Sequence, residues 1–168
     1  VTLTGGAFML SETLGSAKGG TLRVAATDTV SIAGGSRISA RVTSGSTGDG
    51  GLIVVEAKNV TVAAGGLIQS DTSAAGHGGT IQVTATDTVS LSGATTEFSA
   101  GSAVGSTGNA GDILVEARNV TLTNGAAITT ATSGSGNGGT VTVRADDTIT
   151  LAGHASITAG SLGSGNAG

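Results

Sequence analysis

Thr80-Ile81-Gln82-Val83-Thr84, Thr88-Val89-Ser90-Leu91 and Glu97-Phe98-Ser99-Ala100 follow one another along the chain. In each, apolar and polar or small side chains alternate with period two, the pattern of a strand with one buried face. Short turns separate them, and the loop Gly105-Ser106-Thr107-Gly108-Asn109 closes the unit. No stretch repeats its apolar residues with a helical period. The many Gly, Thr and Val residues disfavour helix as well.

The unit recurs. Gly19-Gly20, Gly50-Gly51, Gly78-Gly79, Ala110-Gly111 and Gly138-Gly139 each open one, at spacings of 31, 28, 32 and 28 residues, and Ala167-Gly168 follows after 29 more. The match is better at double spacing, where Glu56-Ala57-Lys58-Asn59-Val60-Thr61-Val62 parallels Glu116-Ala117-Arg118-Asn119-Val120-Thr121-Leu122. The repeat is therefore roughly 30 residues in two alternating flavours. Three strands per unit without helices predict an all-β chain, a three-sided parallel β-helix (solenoid). Each unit is one coil, and successive coils pair in register about 4.8 Å apart.

The inward columns follow from the alternation. The first face stacks Leu22, Ile53, Ile81, Ile113 and Val141 beside Val24, Val55, Val83, Val115 and Val143. The second stacks Val1, Val30, Val60, Val89, Val120 and Ile149 beside Leu3, Ile32, Val62, Leu91, Leu122 and Leu151. The third has one large column: Met9, Ile38, Ile68, Phe98, Ile128 and Ile157. Val, Ile, Leu and Phe number only 37 of 168 residues, whereas Gly, Ala, Ser and Thr number 102. That share of large apolar residues lies near the floor for an ordered chain. The columns decide for order, because each burial contributes roughly 1.5–3 kcal/mol along one narrow axis.

Composition excludes several classes. Without Cys there is neither a disulfide framework nor a cysteine-ligated metal site. A net charge of −4 with no basic cluster argues against nucleic acid as a partner. Two Phe and no Trp or Tyr leave no stacking platform for bases or sugars. The longest apolar run, Leu52-Ile53-Val54-Val55, is far too short for a membrane span, and no signal peptide is visible.

Residues 1–168 read as a single β-helix segment: a partial coil over 1–18, then coils starting near 19, 50, 78, 110 and 138. The total is about five and two-thirds coils. The array is cut in mid-coil at both ends without a polar cap. The expectation is an uncapped segment of a longer array, with further coils of the same polypeptide as its first partner.

The stretch from Gly108-Asn109-Ala110-Gly111-Asp112 through Val120-Thr121-Leu122-Thr123-Asn124-Gly125 to Ala126-Ala127-Ile128-Thr129 resembles the repeats of filamentous haemagglutinin-like exoproteins of two-partner secretion systems, the cyanobacterial type most closely. The resemblance covers essentially the whole chain and rests on a pattern of small residues. It implies a right-handed parallel β-helix, export across the outer membrane as an unfolded chain, and a long rod for adhesion or an extracellular fibre. Extracellular or bacterial cell-surface localisation is the corresponding expectation. The family's secretion domain is not visible in this sequence.

Candidate sites are weighed against structural readings. Gly134-Ser-Gly136-Asn-Gly138-Gly139 and Gly163-Ser-Gly165-Asn-Ala-Gly168 match G-x-G-x-x-G, but a strand follows where a dinucleotide fingerprint needs a helix. These glycines are expected to serve turns of positive φ. Thr47-Gly48-Asp49-Gly50-Gly51 lacks the recurrence of a calcium-binding β-roll, and His77 and His154 have no partner at ligand spacing. Asp28, Lys58, Asp87, Arg118 and Asp146-Asp147 alternate in sign at the first corner, which predicts an ion-pair ladder. Glu56 and Glu116, about 9.5 Å apart across two coils, have a spacing known from inverting glycosidases, yet they are one position of a duplicated unit. No metal, no cofactor and no catalytic residue is expected, and no enzyme; a polysaccharide-cleaving enzyme is the least favoured reading.

Two surfaces remain. The second strand's outward columns are Thr2, Ser31, Thr61, Ser90, Thr121 and Thr150, beside Thr29, Asn59, Thr88, Asn119 and Thr148. Such a hydroxyl and amide face is the feature of an alternative function, binding to ice or to a surface polymer. Strand propensity on a soluble exterior accounts for the same residues. Leu52, Val54 and Leu114 project from the first face and are candidates for lateral contact between rods. The expected partners are thus further coils, lateral or end-to-end copies, and a host-cell or surface polymer. The leading expectation is a structural and adhesive rod or fibre segment of a secreted or surface exoprotein.

Overall fold

A strand whose every second side chain is apolar turns that side inward, and a chain of such strands with small corner residues coils on itself. The computed structural model describes every residue, Val1–Gly168. It has no helix and thirteen strands: β1 (Thr2–Leu3), β2 (Phe8–Leu10), β3 (Thr21–Ala25), β4 (Thr29–Ile32), β5 (Arg37–Ser39), β6 (Leu52–Ala63), β7 (Leu67–Gln69), β8 (Thr80–Ser92), β9 (Glu97–Ser99), β10 (Asp112–Thr123), β11 (Ala127–Thr129), β12 (Val141–Leu151) and β13 (Ser156–Thr158). Every pair is parallel and joins neighbouring coils. One sheet runs β1-β4-β6-β8-β10-β12 with β3 on β6, and the other runs β13-β11-β9-β7-β5-β2. The chain is a parallel β-solenoid of about five turns with roughly 30 residues per turn.

The registers are those of the sequence columns. Ile53 pairs Ile81, which pairs Ile113, which pairs Val141. Val60, Val89, Val120 and Ile149 are joined likewise, as are Ile38, Ile68, Phe98, Ile128 and Ile157. In the middle coils these side chains are fully buried in one continuous core, whereas Val1, Met9, Ile149 and Leu151 at either end of the stack remain over one-third exposed.

The expectation of three separate strands per coil needs correction. In four coils the first two run together as β6, β8, β10 and β12, because inter-coil hydrogen bonding continues round the first corner. Ala57 pairs Ala85 and Asn59 pairs Thr88, so Lys58 alone faces Thr86-Asp87; Arg118 in the same way faces Asp146-Asp147. This extra residue in alternate coils is a β-bulge, which bends and twists the strand without ending it. The third strand spans three residues, followed by a row of single bridges through Thr13, Val42, Thr72, Ser102, Thr132 and Ser161.

Except between β8 and β9, the second corner is a two-residue turn with two positive φ values, the type I′ signature. Gly34 and Gly35, Ala64 and Gly65, Asn124 and Gly125, and Gly153 and His154 all have it. Gly66 N–H donates to Ala63 O at 2.9 Å and closes one such turn. Ala64 (φ 48°) and His154 (φ 65°) carry a Cβ where glycine is the natural occupant. Left-handed backbone costs such residues about 1–2 kcal/mol. Ala64→Gly and His154→Gly are each expected to raise Tm, by about 2–4 °C per kcal/mol relieved, in a thermal melt followed by circular dichroism.

The third corner is built on glycine for another reason. A Cβ on Gly111 would lie 1.8 Å from Gly79 O, one on Gly139 1.8 Å from Gly111 O, and one on Gly136 2.1 Å from Gly108 O. At these positions the Cβ direction runs along the stack axis into the neighbouring coil. The glycines of the two G-x-G-x-x-G matches, Gly134, Gly136, Gly138, Gly139, Gly163, Gly165 and Gly168, do not have positive φ. They are glycine because the coils leave no room for a Cβ, which corrects the turn reading.

The interior beside this corner is polar. Thr13, Ser46, Ser70, Thr72, Ser102 and Thr130 are buried. Their hydroxyls donate to loop carbonyls: Ser70 to Ala40 O at 3.2 Å, Thr72 to Gly76 O at 2.6 Å, Ser102 to Gly108 O at 2.9 Å and Thr130 to Gly139 O at 2.9 Å. A buried loop carbonyl needs a donor, and these hydroxyls supply it. Ser70 and Thr130 occupy the position that Ala40 and Ala100 take in the alternate coils, a two-coil alternation within the core itself.

Candidate functional site

The second face is positioned by β4 and the C-terminal halves of β6, β8, β10 and β12. It lies between the first corner, bulged in alternate coils, and the second-corner turn. Its outward residues lie in register: Ser31, Thr61, Ser90, Thr121 and Thr150 in one column, with Thr2 against Ser31. Thr29, Asn59, Thr88, Asn119 and Thr148 form the column beside it. Successive rungs are about 4.8 Å apart, and columns along a strand about 6.6 Å. Thr148 Oγ1 donates to Asn119 Oδ1 at 2.7 Å. No charged residue falls in 29–33, 59–63, 88–92, 119–123 or 148–152, so the whole face is neutral.

The first face is different. Leu52, Val54 and Leu114 are half-buried on its outer side. Val54 lies between Arg23 and Gln82, Leu114 between Gln82 and Thr142, and Leu52 between Thr21 and Thr80, so polar residues interleave the apolar ones. Glu56 pairs with Arg23 at 2.5 Å and Glu116 with Arg144 at 2.8 Å. Sequence reasoning missed these pairs because it compared residues within the corner and not across the face. At the corner itself Arg118 pairs with Asp147 at 2.6 Å, whereas Lys58 forms no ion pair with Asp28 or Asp87. The ladder is thus reduced to one rung. The hydrogen bond to Asp147, with that carboxylate's charge, raises the pKa of the exposed Arg118 further.

A shallow concavity of about 400 Å³ lies at the same corner, lined by Ala25, Ala26, Thr27, Glu56, Ala57, Lys58 and Thr86. No group of three or more His, Asp or Glu side chains converges anywhere in the protein.

The loop residues at the third corner form a second row that the sequence reading did not find. His77 N–H donates to Asp49 Oδ1 at 3.0 Å, Asn109 N–H to His77 Nδ1 at 3.0 Å, Asn137 N–H to Asn109 Oδ1 at 2.9 Å and Asn166 N–H to Asn137 Oδ1 at 2.9 Å. Each side chain accepts the backbone N–H of its counterpart one coil on. His77 is therefore a member of an asparagine-like ladder and not a free loop histidine. The signal was available as Asp49, His77, Asn109, Asn137 and Asn166, each immediately before the small-residue pair that opens a coil.

On the third face, Asp71 accepts hydrogen bonds from the Ser99 hydroxyl and from Gly101 N–H, the latter at 2.7 Å. Glu97 stands half-buried between Leu67 and Ala127 in register. Burial, and secondly the charge of Asp71, push its pKa above the ordinary 4.5. The folded state therefore holds this proton more tightly than the unfolded chain. Its contribution is fully present below about pH 4.5 and is lost as pH rises through the folded value. Glu97→Gln is expected to raise Tm at neutral pH, with the gain over the parent chain shrinking to nothing as pH falls below about 4.5. Thermal melts of both proteins across that range check it.

The fold and its surfaces define a class, the parallel β-solenoid repeat proteins, and a structural or adhesive repeat rod is compatible with that fold. No protein-family model, curated protein or solved structure matches the chain. No helix is long and apolar enough to cross a membrane.

Proposed function

We propose that the chain is a rod segment of a bacterial exoprotein similar to the filamentous haemagglutinin-like type, placed outside the cell or on its surface, and working in adhesion or as fibre material. The observation that supports it is the continuous parallel pairing of β6, β8, β10 and β12, shifted in register only at the bulged first corner, which makes a stiff column whose length grows with coil number. Nothing in this role calls on catalysis or a cofactor. Electron microscopy of the native material, with immunolabelling for this segment, tests it. The expected image is rods or fibres outside the cell; a label confined to the cytoplasm or to compact particles sinks the reading. Turnover of a polysaccharide that is lost on replacing Glu56 and Glu116 would also overturn it.

The in-register neutral face supports a second reading, contact with ice or a surface polymer through Thr29, Ser31, Asn59, Thr61, Thr88, Ser90, Asn119, Thr121, Thr148 and Thr150. Thermal hysteresis and ice shaping at high protein concentration decide for ice, and binding to insoluble polymers decides for the other. Rods that bundle through Leu52, Val54 and Leu114 are expected to become narrower when Val54→Asp and Leu114→Asp are combined. Unchanged particle width in micrographs would remove that contact.

A further inference from the structure

Two Asn-Gly dipeptides occur in the chain, Asn124-Gly125 and Asn137-Gly138, and the fold treats them in opposite ways. We propose that Asn124 is a site of spontaneous covalent modification, deamidation through a cyclic imide, and that the fold protects Asn137 from the same reaction. The chemistry is balanced by water alone. The Gly125 amide nitrogen attacks Asn124 Cγ, an N–Cγ bond forms, the Cγ–Nδ2 bond breaks, and ammonia leaves with the proton from Gly125 N–H. Water then opens the imide at one of its two carbonyls. The product is an aspartyl residue, or an isoaspartyl residue in which the main chain runs through the former side chain. Either way one water is taken up, one ammonia is released and one negative charge is gained.

The reaction needs a free attacking nitrogen, an accessible side chain and a backbone able to swing the two together. Glycine as the following residue adds no Cβ in the way. At Asn124 the first two of these conditions meet. The residue is exposed and sits at φ 56° in the I′ turn between β10 and β11. Gly125 N–H donates to no acceptor in the protein. The side chain makes one hydrogen bond, from Nδ2 to Ser92 Oγ at 3.0 Å, and the turn is closed by Ala126 N–H to Thr123 O at 3.1 Å. Asn137 has the same neighbours in sequence and none of this freedom. Gly138 N–H, the would-be nucleophile, donates to Asn166 O at 2.8 Å. Asn137 Oδ1 accepts Asn166 N–H at 2.9 Å, and Asn137 N–H donates to Asn109 Oδ1 at 2.9 Å. Asp49-Gly50, which can close the same imide, is held likewise by Gly50 N–H to His77 O at 2.8 Å. The side-chain ladder of the third corner therefore shields its own members, and the I′ turn at Asn124 stands outside it. The product charge would appear beside Thr123 and Ser92, at the edge of the neutral face.

The test is an ageing experiment on the intact folded protein at mildly alkaline pH and body temperature, in water enriched in oxygen-18. Aliquots are digested and mapped by mass spectrometry, with the urea-unfolded chain incubated in parallel. In the folded protein, conversion at Asn124 is expected to outpace that at Asn137 by about two- to tenfold, the range that one hydrogen bond holding the nucleophilic N–H supplies. In urea the two sites are expected to convert at similar rates. Asn124→Gly, which suits the I′ turn, is expected to remove the signal and leave the melting curve in place. Equal folded-state rates, faster conversion at Asn137, a silent Asn124, or a difference that persists in urea would each overturn the proposal.

Discussion

Gly111→Ala is expected to lower Tm by about 6–12 °C, the equivalent of some 3 kcal/mol in a chain of this size. The added Cβ would lie 1.8 Å from Gly79 O, where an ordinary contact needs well over 3 Å. That oxygen accepts Asp112 N–H at 3.2 Å, so pushing it aside also breaks a coil-to-coil hydrogen bond. Overpacking commonly costs about 1–3 kcal/mol when side chains can yield. Here the nearest obstacles are all backbone atoms, of Gly78 and Gly79, so the upper end applies. Units of a solenoid touch only their neighbours, so the damage stays local. Hydrogen exchange should show lost protection where β8 meets β10, with the distant pairing of β2 and β5 unaffected. Gly15→Ala and Gly160→Ala serve as controls, because a Cβ at either meets nothing within 4 Å and neither φ is positive. Both should melt close to the parent protein. Equal melting of all three variants would mean that the third corner tolerates wider coils and that the axial glycine contacts do not limit it.

The contrast also explains what could be read in the sequence. The apolar columns were legible because period-two alternation and a near-constant spacing are one-dimensional signals, and they survive intact from Ile53 to Val141. The neutral column of Ser31, Thr61, Ser90 and Thr121 was legible for the same reason. The role of Gly111 was not, since glycine at positive φ and glycine under a neighbouring carbonyl are the same letter. The bulge at Thr86-Asp87 was hidden as well. One extra residue looks like length variation until the pairing on both sides is known. Hydroxyls such as Ser70 and Thr130 escaped because an inward Ser reads as an outward one that has slipped register. Their partners are loop carbonyls, which leave no trace in side-chain patterning.

Phe98→Ala is expected to have the largest effect of any single core change. Phe98 is the bulkiest fully buried side chain, and it sits in β9 between Ile68 and Ile128. Truncating a buried Phe costs about 3–5 kcal/mol, from lost burial and from the cavity left behind. In a chain of this size that is a fall in Tm of about 6–20 °C. The surrounding coil is unusual: the stretch from Leu91 to Glu97 is one residue longer than the matching Val62 to Leu67 and Leu122 to Ala127. If the longer corner widens the coil, the larger ring fills the width where the other coils hold Ile or Met. Phe98→Ile should therefore not be neutral, although it restores the residue found at Ile38, Ile68, Ile128 and Ile157. A loss of about 1 kcal/mol is expected for it, set by the volume that the longer corner leaves empty. Deleting one residue from Ser92–Thr96 together with Phe98→Ile should recover most of that loss. If the deletion lowers Tm further and Phe98→Ile alone is neutral, corner length and column side chain are independent, and the fit between coil width and core volume is not what sets the stability of this coil.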